Sequence, residues 1–196
     1  MVPEMPATAK ALTTSRLYRL AARRLVVPWV LQRQQPDGEG LEIGAGSGAM
    51  TAQLLQAFPR TRMIATDYDT DMVRAAQQTL ARFKDRARVE RADATDLPFG
   101  EDRFDFVLSA AMLHHTVAWE AALSEVVRVL RPGGLLIGYD LLDTAVMRMM
   151  HFGEGHETRL LRPAQLQAEL DRLHLTGVRT RRGVGGLVVR FVATKP

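Results

Sequence analysis

The chain has 196 residues, of which 46% are hydrophobic, and a formal net charge of +4 at pH 7. This size suits one large domain with a single buried core, and a second full domain is not expected. The sequence contains no cysteine, which excludes disulfide bonds, thiolate metal sites and a cysteine nucleophile. Nothing indicates an oxidising compartment, so we expect a cytoplasmic protein.

Basic side chains are concentrated near both ends of the chain. Residues 1–36 carry six against Glu4 alone, and residues 179–196 carry five against none, so the middle of the chain is acidic. Basic ends could meet nucleic acid, an anionic membrane or an acidic substrate, yet most such charges are simply solvated. A nucleic-acid partner is not expected. The apolar run 25–31 is too short to span a bilayer, and we expect neither a transmembrane helix nor a signal peptide.

The first predicted element is an amphipathic helix over 15–32, where apolar residues recur at helical spacing between arginines and Pro28 bends or restarts the helix. Strands and helices then alternate. Strands are predicted at 41–43, 63–66, 88–92, 104–109 and 135–141, and helices at 49–58, 71–83 and 119–130. This alternation favours a mostly parallel sheet covered on both faces. A helix at 163–173 and two strand-like runs at 177–182 and 187–194 follow, joined by GVGG as a hairpin whose last strand is antiparallel.

The stretch LEIGAGSG begins in the first strand and opens the next helix. Such a turn lets backbone N–H groups approach a ligand at the carboxyl end of the strand. Gly44, Gly46 and Gly48 suit this use, but Gly44, Gly46 and Ala49 also satisfy the dinucleotide fingerprint, and a turn without a ligand is a further reading.

Two acidic loops follow the next two strands. Asp67 ends the second strand and can accept hydrogen bonds from ribose hydroxyls, with Tyr68 beside an adenine face. A helix cap is the alternative role for Asp67, although Asp69, Thr70 and Asp71 suit that role better. Asp93 follows the third strand in DATDLPF, where it could accept a hydrogen bond from an adenine amino group or simply close a turn.

Taken together, these motifs resemble class I S-adenosylmethionine-dependent methyltransferases, type 11-like, of the group that includes small-molecule and quinone enzymes. The likeness runs over 41–142 through LEIGAGSG, ATDYDTDMV, RADATDLPF, FDFVLSAAMLHH and ALSEVVRVLRPGG, in the family's order. It implies a three-layer, Rossmann-like α/β fold with a seven-stranded, mostly parallel sheet and an antiparallel last strand. A nicotinamide dehydrogenase is disfavoured because no tyrosine has a lysine four residues on.

The resemblance also assigns roles to residues. It implies that the methionine part of the cofactor lies against the turn, with Glu42 behind it near the cationic end, and that Asp67 binds the ribose and Tyr68 the adenine. Asp93 and Ala94 would lie at the adenine edge and Ser109 near the methionine. The implied turn residues are Gly44, Ala45, Gly46 and Gly48. Acidic residues suit a ligand that carries a sulfonium and an ammonium group.

His114 and His115 follow the fourth strand, at the edge where a methyl acceptor should bind. We expect one of them to border the acceptor and to act as a base, while the family's structural use of such a pair is the alternative. The segment 147–157 is predicted to cover an apolar acceptor, or else to pack in the core. Its two histidines are five residues apart, which does not place them on one helix face, so no metal is expected.

We therefore predict a helical cap over 1–36, or else an interfacial helix there that binds lipid, and an S-adenosylmethionine-binding methyltransferase domain over 37–196. The predicted activity is methyl transfer from S-adenosylmethionine to a small, apolar molecule. A lipid or quinone methyltransferase at a membrane surface is the alternative within this class. A cofactor-binding module without catalysis is the alternative outside it.

Overall fold

The computed structural model describes residues 26–151 and 158–196. Its strands are β1 (Glu39–Ile43), β2 (Arg62–Asp67), β3 (Ala87–Arg91), β4 (Phe104–Ala110), β5 (Leu130–Leu141), β6 (Thr176–Gly183) and β7 (Val188–Thr194). Its helices are α1 (Val27–Leu31), α2 (Ala49–Ala57), α3 (Thr70–Leu80), α4 (Trp119–Val129), α5 (Ala145–Met150) and α6 (Pro163–Arg172). Short 3₁₀ turns at Ala81–Arg86, Leu113–His115 and Val184–Gly186 connect some of them.

The strands form one seven-stranded sheet in the order β3-β2-β1-β4-β5-β7-β6. Strands β1 to β5 pair in parallel, whereas β7 lies antiparallel to both β5 and β6. The predicted mostly parallel sheet with an antiparallel last strand is therefore confirmed.

Alternate residues of the central strands serve cores on opposite faces of the sheet. Leu41 and Ile43 pack in a cluster with the apolar faces of α4 and α6. Phe106 and Leu108 point the other way, into a cluster with α1 and α2. Because both faces of these strands are buried, the layers are helix, sheet and helix, as the run of apolar residues in each strand requires.

The helices begin and end close to the predicted positions. The carboxylate of Asp69 caps α3 by accepting hydrogen bonds from the N–H groups of Asp71 (2.8 Å) and Met72 (3.4 Å). Along α4, residues at helical spacing are buried against the sheet, among them Ala122, Val126 and Val129. The cap of α3 is therefore Asp69 and not Asp67.

Strand β5 begins five residues before its predicted start at 135. Arg131-Pro132-Gly133-Gly134 ends α4, as predicted, but lies within the strand as an irregularity: Leu130 pairs with Phe104 and Leu135 with Phe106. A bulge accommodates Pro and Gly in a strand without a full set of ladder hydrogen bonds.

Most of the predicted N-terminal helix lies outside the described residues. Its described end, α1, has Pro28 in its first turn and buries Val27, Val30 and Leu31. The helical cap over 1–36 therefore stays a prediction. Within the described ranges, no helix is long and apolar enough to cross a membrane.

Candidate active site

The predicted site residues come together at one edge of the sheet because the parallel strands end there. In the register of the sheet, Ile43 of β1 lies beside Thr66 of β2 and Ser109 of β4. The residues that follow these three, Gly44, Asp67 and Ala110, therefore start neighbouring loops. Ligands of open α/β sheets bind at such carboxyl ends.

The turn after β1 is built around backbone conformations that favour glycine. Gly44, Gly46 and Gly48 have φ values of 63°, 53° and 75°. A Cβ atom on Gly44 would lie 1.9 Å from Cγ of Met112, whereas a Cβ atom on Gly46 would meet no atom of the described residues within 4 Å. The turn is thus packed beneath Gly44 and open above Gly46, which leaves space for a ligand against the backbone.

Asp67 fastens the turn to β2. Its Oδ2 atom accepts a hydrogen bond from the Gly46 N–H (2.7 Å), and its Oδ1 atom accepts one from the Asp69 N–H (2.9 Å). The N–H of Ala45 also donates to the Thr66 carbonyl (2.8 Å). Burial raises the pKa of Asp67, while the two N–H donors oppose that rise. Asp67, the residue predicted to bind the ribose, is therefore fixed in place at the turn.

Glu42 lies beneath the turn and is buried. Its Oε2 atom accepts hydrogen bonds from the N–H of Thr51 (2.9 Å) and from the Thr51 hydroxyl in α2. Burial raises the pKa of Glu42 to about 8, and the nearby Asp67 carboxylate contributes to the rise. A cation bound nearby would favour the ionised carboxylate and would oppose this effect.

Tyr68 is held by Arg91, which the sequence did not single out. The Arg91 guanidinium carbon lies 4.9 Å from the centroid of the Tyr68 ring, and its Nε atom donates to the Tyr68 carbonyl (2.9 Å). Cation–π contact and a hydrogen bond together fix the orientation of the tyrosine. Arg91 is the last residue of β3, and the pairing of β3 with β2 brings it next to Asp67 and Tyr68.

Asp93 closes a turn in the loop after β3. Its Oδ1 atom accepts hydrogen bonds from the N–H (2.9 Å) and the hydroxyl (2.7 Å) of Thr95. Ala94 is buried beside it, and the N–H of Ala92 donates to the Asp67 carbonyl (3.1 Å). The structure thus places Asp93 and Ala94 beside the loop that follows Asp67. Asp93 closes a turn, which was one of the two interpretations of the sequence.

The same loop is clamped from α4 by an ion pair that was not predicted. Glu125 accepts from the Leu97 N–H (2.8 Å) and pairs with Arg128 (2.7 Å). Arg128 in turn donates to the carbonyls of Phe99 (2.7 Å) and Leu97 (3.0 Å). These contacts fix the loop that would border an adenine ring.

Ser109 is fully buried near the end of β4, and its hydroxyl has no hydrogen-bond partner within residues 26–151 and 158–196. A buried hydroxyl without a partner is unfavourable by about 1–3 kcal/mol, so a ligand that formed a hydrogen bond with Ser109 would remove this cost. Its neighbour in the sheet is Ile43, directly before the glycine turn. This placement fits the predicted role of Ser109 near the methionine part of the cofactor.

The two predicted histidines differ sharply in their surroundings. His114 is 2% exposed, and its Nδ1 atom lies 2.6 Å from Oδ1 of the fully buried Asp140. Asp140 also accepts from the N–H groups of Leu113 and Leu141, both at 2.7 Å. Because a carboxylate accepts, the His114 Nδ1–H donates to it, and Nε2 is left to accept a proton.

The imidazole of His115 packs against the imidazole of His114, with 3.9 Å between the two ring centroids. Burial lowers the pKa of His115 to about 4, and the neighbouring His114 adds to this shift. His151 lies against His114 on another side, at 5.6 Å. Met112, which packs against Gly44, is two residues before His114 in the loop after β4.

The remaining predictions for this edge concern the segment 147–157. Met147 is buried, whereas Met149 and Met150 are exposed, and residues 152–157 lie outside the described ranges. The lid role of this segment therefore stays a prediction. Its second histidine, His156, is also outside these ranges. Among the described residues, no group of three or more His, Asp or Glu side chains is arranged to hold a metal ion.

The residues present fit S-adenosylmethionine. The space above Gly46 provides room, and the unpartnered Ser109 hydroxyl provides a hydrogen-bonding group. Asp67 and Glu42 are buried acidic groups, and a bound cation would favour the ionised form of Glu42. Each feature suits a ligand with a cationic end and ribose hydroxyls.

Comparison with known proteins decides the family. The model of the methyltransferase domain matches residues 41–138, which is half of the chain. The chain belongs to the methyltransferase-domain family. The resemblance to class I S-adenosylmethionine-dependent methyltransferases seen in the sequence is thereby confirmed.

Among curated methyltransferases, demethylmenaquinone methyltransferase of Clavibacter sepedonicus is 33% identical over 153 residues. The match covers 71% of this chain and 59% of that protein, so the chain spans about three fifths of the relative's length.

Solved methyltransferase-like structures share the fold. A protein of Pyrococcus horikoshii superposes with a TM-score of 0.79 at 17% identity, covering 98% of this chain and 100% of the other. The CurJ carbon methyltransferase superposes with a TM-score of 0.72 at 23% identity, covering 96% of this chain and 57% of the other. These likenesses establish the Rossmann-like methyltransferase fold of the chain.

Proposed function

We propose that this chain transfers a methyl group from S-adenosylmethionine to a small, largely apolar molecule. The observation that carries the proposal is the glycine turn closed by Asp67, with its open side above Gly46 and the buried His114–Asp140 pair at the same edge of the sheet. Family membership supports the same activity. The absence of cysteine keeps the cytoplasm as the expected compartment.

The proposed cofactor contacts are those implied by the resemblance to the family, and the common position of these residues at the edge of the sheet supports them. Asp67 would bind the ribose, Tyr68 would lie beside the adenine, and Asp93 and Ala94 would border its edge. Gly44, Ala45, Gly46 and Gly48 would line the methionine part, near Ser109 and above Glu42. When bound, the cofactor supplies a methyl group on a sulfonium whose leaving group is a neutral thioether.

The chain's own contribution is orientation and proton removal. Holding the acceptor in line with the methyl group supplies much of the acceleration in such a displacement. If the acceptor atom is a hydroxyl oxygen or an acidic carbon, Nε2 of His114 takes its proton while Asp140 fixes the imidazole through Nδ1. His115 suits this role less well, because a pKa of about 4 makes it a weak base near neutral pH.

Calorimetric titration with S-adenosylmethionine and, separately, with NAD tests the cofactor. We expect binding of the first and none of the second. The reverse result would remove the basis of every proposed contact. S-adenosylhomocysteine formed with a metabolite extract then distinguishes an enzyme from a cofactor-binding module without catalysis, which would bind the cofactor and form no product.

A quinone or lipid acceptor at a membrane surface is the second candidate. It is favoured by the relative described as a demethylmenaquinone methyltransferase. Product formation that requires lipid vesicles, or that occurs with a demethylated quinone alone, would select this candidate.

A further inference from the structure

A polar cleft of about 360 Å³ lies beyond the carboxyl end of β5 and has no role in the contacts described above. It is lined by three arginines together with Asp143, Thr158 and Gln165; the arginines are Arg148, Arg159 and Arg162. A concave site with several convergent polar groups is a typical place for a small ligand.

The cleft adjoins the proposed base. The backbone N–H of Arg159 donates to the His114 carbonyl (2.7 Å), and the backbone N–H of Asp143 donates to the Leu161 carbonyl (2.8 Å). Asp143 itself follows Asp140, the partner of His114, by three residues. A molecule that presents an atom to His114 could therefore place another of its groups in the cleft.

The cleft carries excess positive charge. Asp143 is paired with Arg148 (2.5 Å) and with Arg162 (2.9 Å), and Arg159 is paired with Glu120 (2.7 Å). Hydrogen bonds from Arg162 and Arg148 lower the pKa of Asp143, so it is ionised at neutral pH. One carboxylate is thus shared by two guanidinium groups.

The two arginines on Asp143 retain unused hydrogen-bond donors. Their side chains are 60% and 66% exposed, and each gives a single nitrogen atom to Asp143. A guanidinium has five N–H groups, so most of those on Arg148 and Arg162 have no partner in the described parts of the chain. Because exposed ion pairs contribute little to stability, an incoming anion can engage these groups without a large loss. Planar guanidinium groups bind carboxylate, sulfate and phosphate in a bidentate manner.

Apolar side chains lie next to this positive cleft. The same short helix that carries Arg148 exposes Val146, Met149 and Met150, with Met149 74% exposed. Val117 is exposed as well, and its carbonyl accepts a hydrogen bond from Arg159 (3.1 Å). Exposed methionines form an adaptable apolar surface.

We propose that this cleft binds an acidic group of the methyl acceptor through Arg148 and Arg162, while the apolar part of the acceptor lies against the side chains of α5. The acceptor is then a small amphipathic molecule with a carboxylate, sulfate or phosphate group. This assignment rests on the proposed function, since it names the class of acceptor used at the same site.

The test compares two fluorescent probes that differ by one anionic group. 8-Anilinonaphthalene-1-sulfonate carries a sulfonate, and N-phenyl-1-naphthylamine is the same ring system without it. We expect the wild-type chain to bind the sulfonate probe about tenfold more tightly than the neutral one, as a charge-assisted contact requires. Equal affinities for the two probes would overturn the proposal.

Variants locate the contact. Arg148→Gln and Arg162→Gln should each weaken binding of the sulfonate about tenfold and leave the neutral probe unchanged. Arg181→Gln, which removes an exposed arginine of β6, is the matched control and should change neither. Asp143→Asn removes the competing carboxylate, so it should tighten binding of the sulfonate about threefold, an effect that damage to the fold would not produce. Loss of sulfonate binding equal in Arg181→Gln and Arg148→Gln would overturn the assignment.

Calorimetric binding of S-adenosylmethionine to the same variants separates this proposal from the proposed function. Cofactor binding retained in every variant, with the sulfonate affinities above, supports both proposals. Sulfonate affinities unchanged by the arginine variants, with cofactor binding intact, would contradict the anion site alone. A wild-type chain that failed to bind the cofactor would contradict the proposed function and the acceptor assignment, whatever the cleft bound. Sedimentation with phosphatidylglycerol vesicles that is lost in Arg148→Gln would assign the anion to a lipid surface and overturn the small-molecule proposal.

Discussion

Individual carboxylates at the edge of the sheet are held in environments that change their protonation. Glu42 has a pKa of about 8 in the folded chain, against 4.5 when it is freely solvated. Between these two pH values the folded state binds more protons at Glu42 than the unfolded state does. This contribution to stability is complete below pH 4.5 and is lost as pH rises through 8.

We therefore predict that Glu42→Gln flattens the pH dependence of stability. The wild-type free energy of unfolding should fall by about 4 kcal/mol more than that of the variant between pH 5 and pH 8.5, since each pKa unit corresponds to about 1.4 kcal/mol. Urea unfolding at several pH values measures this difference. Glu101→Gln, at an exposed acid, should follow the wild-type slope. An equal slope in Glu42→Gln would show that Glu42 has an ordinary pKa.

The histidines give a prediction that separates a base from its neighbours. His114→Ala should lower kcat about 100-fold or more, whereas His115→Ala should lower it less than about tenfold, because positioned proton transfer contributes at that scale. Rates of S-adenosylhomocysteine formation measure this, with cofactor affinity checked by calorimetry. Unchanged rates in both variants would give the pair a structural role.

Asp140 is a positioning residue in this scheme, so its test needs a further readout. Asp140→Asn should lower kcat with little change in KM and should shift the pH profile of kcat, because the imidazole loses its orienting carboxylate. A loss of folding or of cofactor binding without such a shift would indicate a purely structural contact.

The sequence predicted which residues lie at this edge of the sheet, but it did not predict the side chains that contact them. The glycines, Asp67 and the histidine pair stand beside clear strand signals, so their common edge followed from the alternation of elements. Asp140 was missed because it is 26 residues from His114, and only the pairing of β4 with β5 joins them. Sequence spacing likewise does not show that Arg91 meets Tyr68. Nor could it distinguish His114 from His115, which differ in burial and in their contact with the Asp140 carboxylate.

Among the local elements, the turn between β1 and α2 offers a matched comparison. Gly46 and Gly185 both have left-handed backbone conformations, with φ of 53° and 64°, and a Cβ atom on either would meet no atom within 4 Å in the described residues. Alanine at each should therefore destabilise the chain by a similar amount, about 1–2 kcal/mol. Only the space at Gly46 is proposed to hold the cofactor.

We predict that Gly46→Ala weakens S-adenosylmethionine binding about tenfold or more, while Gly185→Ala leaves it unchanged. Denaturant unfolding and calorimetry on the two variants provide the two measurements. The same cofactor affinity in both variants would place the ligand away from this turn.

Element boundaries were predicted well where a single pattern dominates. Strand β4 was expected at 104–109 and spans Phe104–Ala110, and the helix expected at 163–173 spans Pro163–Arg172. The start of β5 was wrong by five residues because Pro132 and two glycines are usual signals for the end of an element. In the fold they lie in a bulge, whose pairing to β4 no local pattern reveals.

Across the whole molecule, the alternation of strands and helices predicted the layers but not the order of the strands. Strand order depends on pairings between segments distant in the chain, such as β1 with β4. The antiparallel β7 was predicted from its hairpin turn and from the resemblance to the family. Its position between β5 and β6 depends on contacts that span many residues, among them Phe191 against Gly138.

That position has a consequence for synthesis on the ribosome. Translation delivers β6 before β7, yet within residues 26–151 and 158–196 β6 pairs with β7 and with no other strand, so it cannot join the sheet when it emerges. A nascent chain extending to residue 183 would expose the open side of β5 together with a solitary strand, a state in which neighbouring polypeptides can add to the edge. The seven residues of β7, which follow after residues 184–187, pair with both strands at once, and the native sheet can form only after the ribosome has added them.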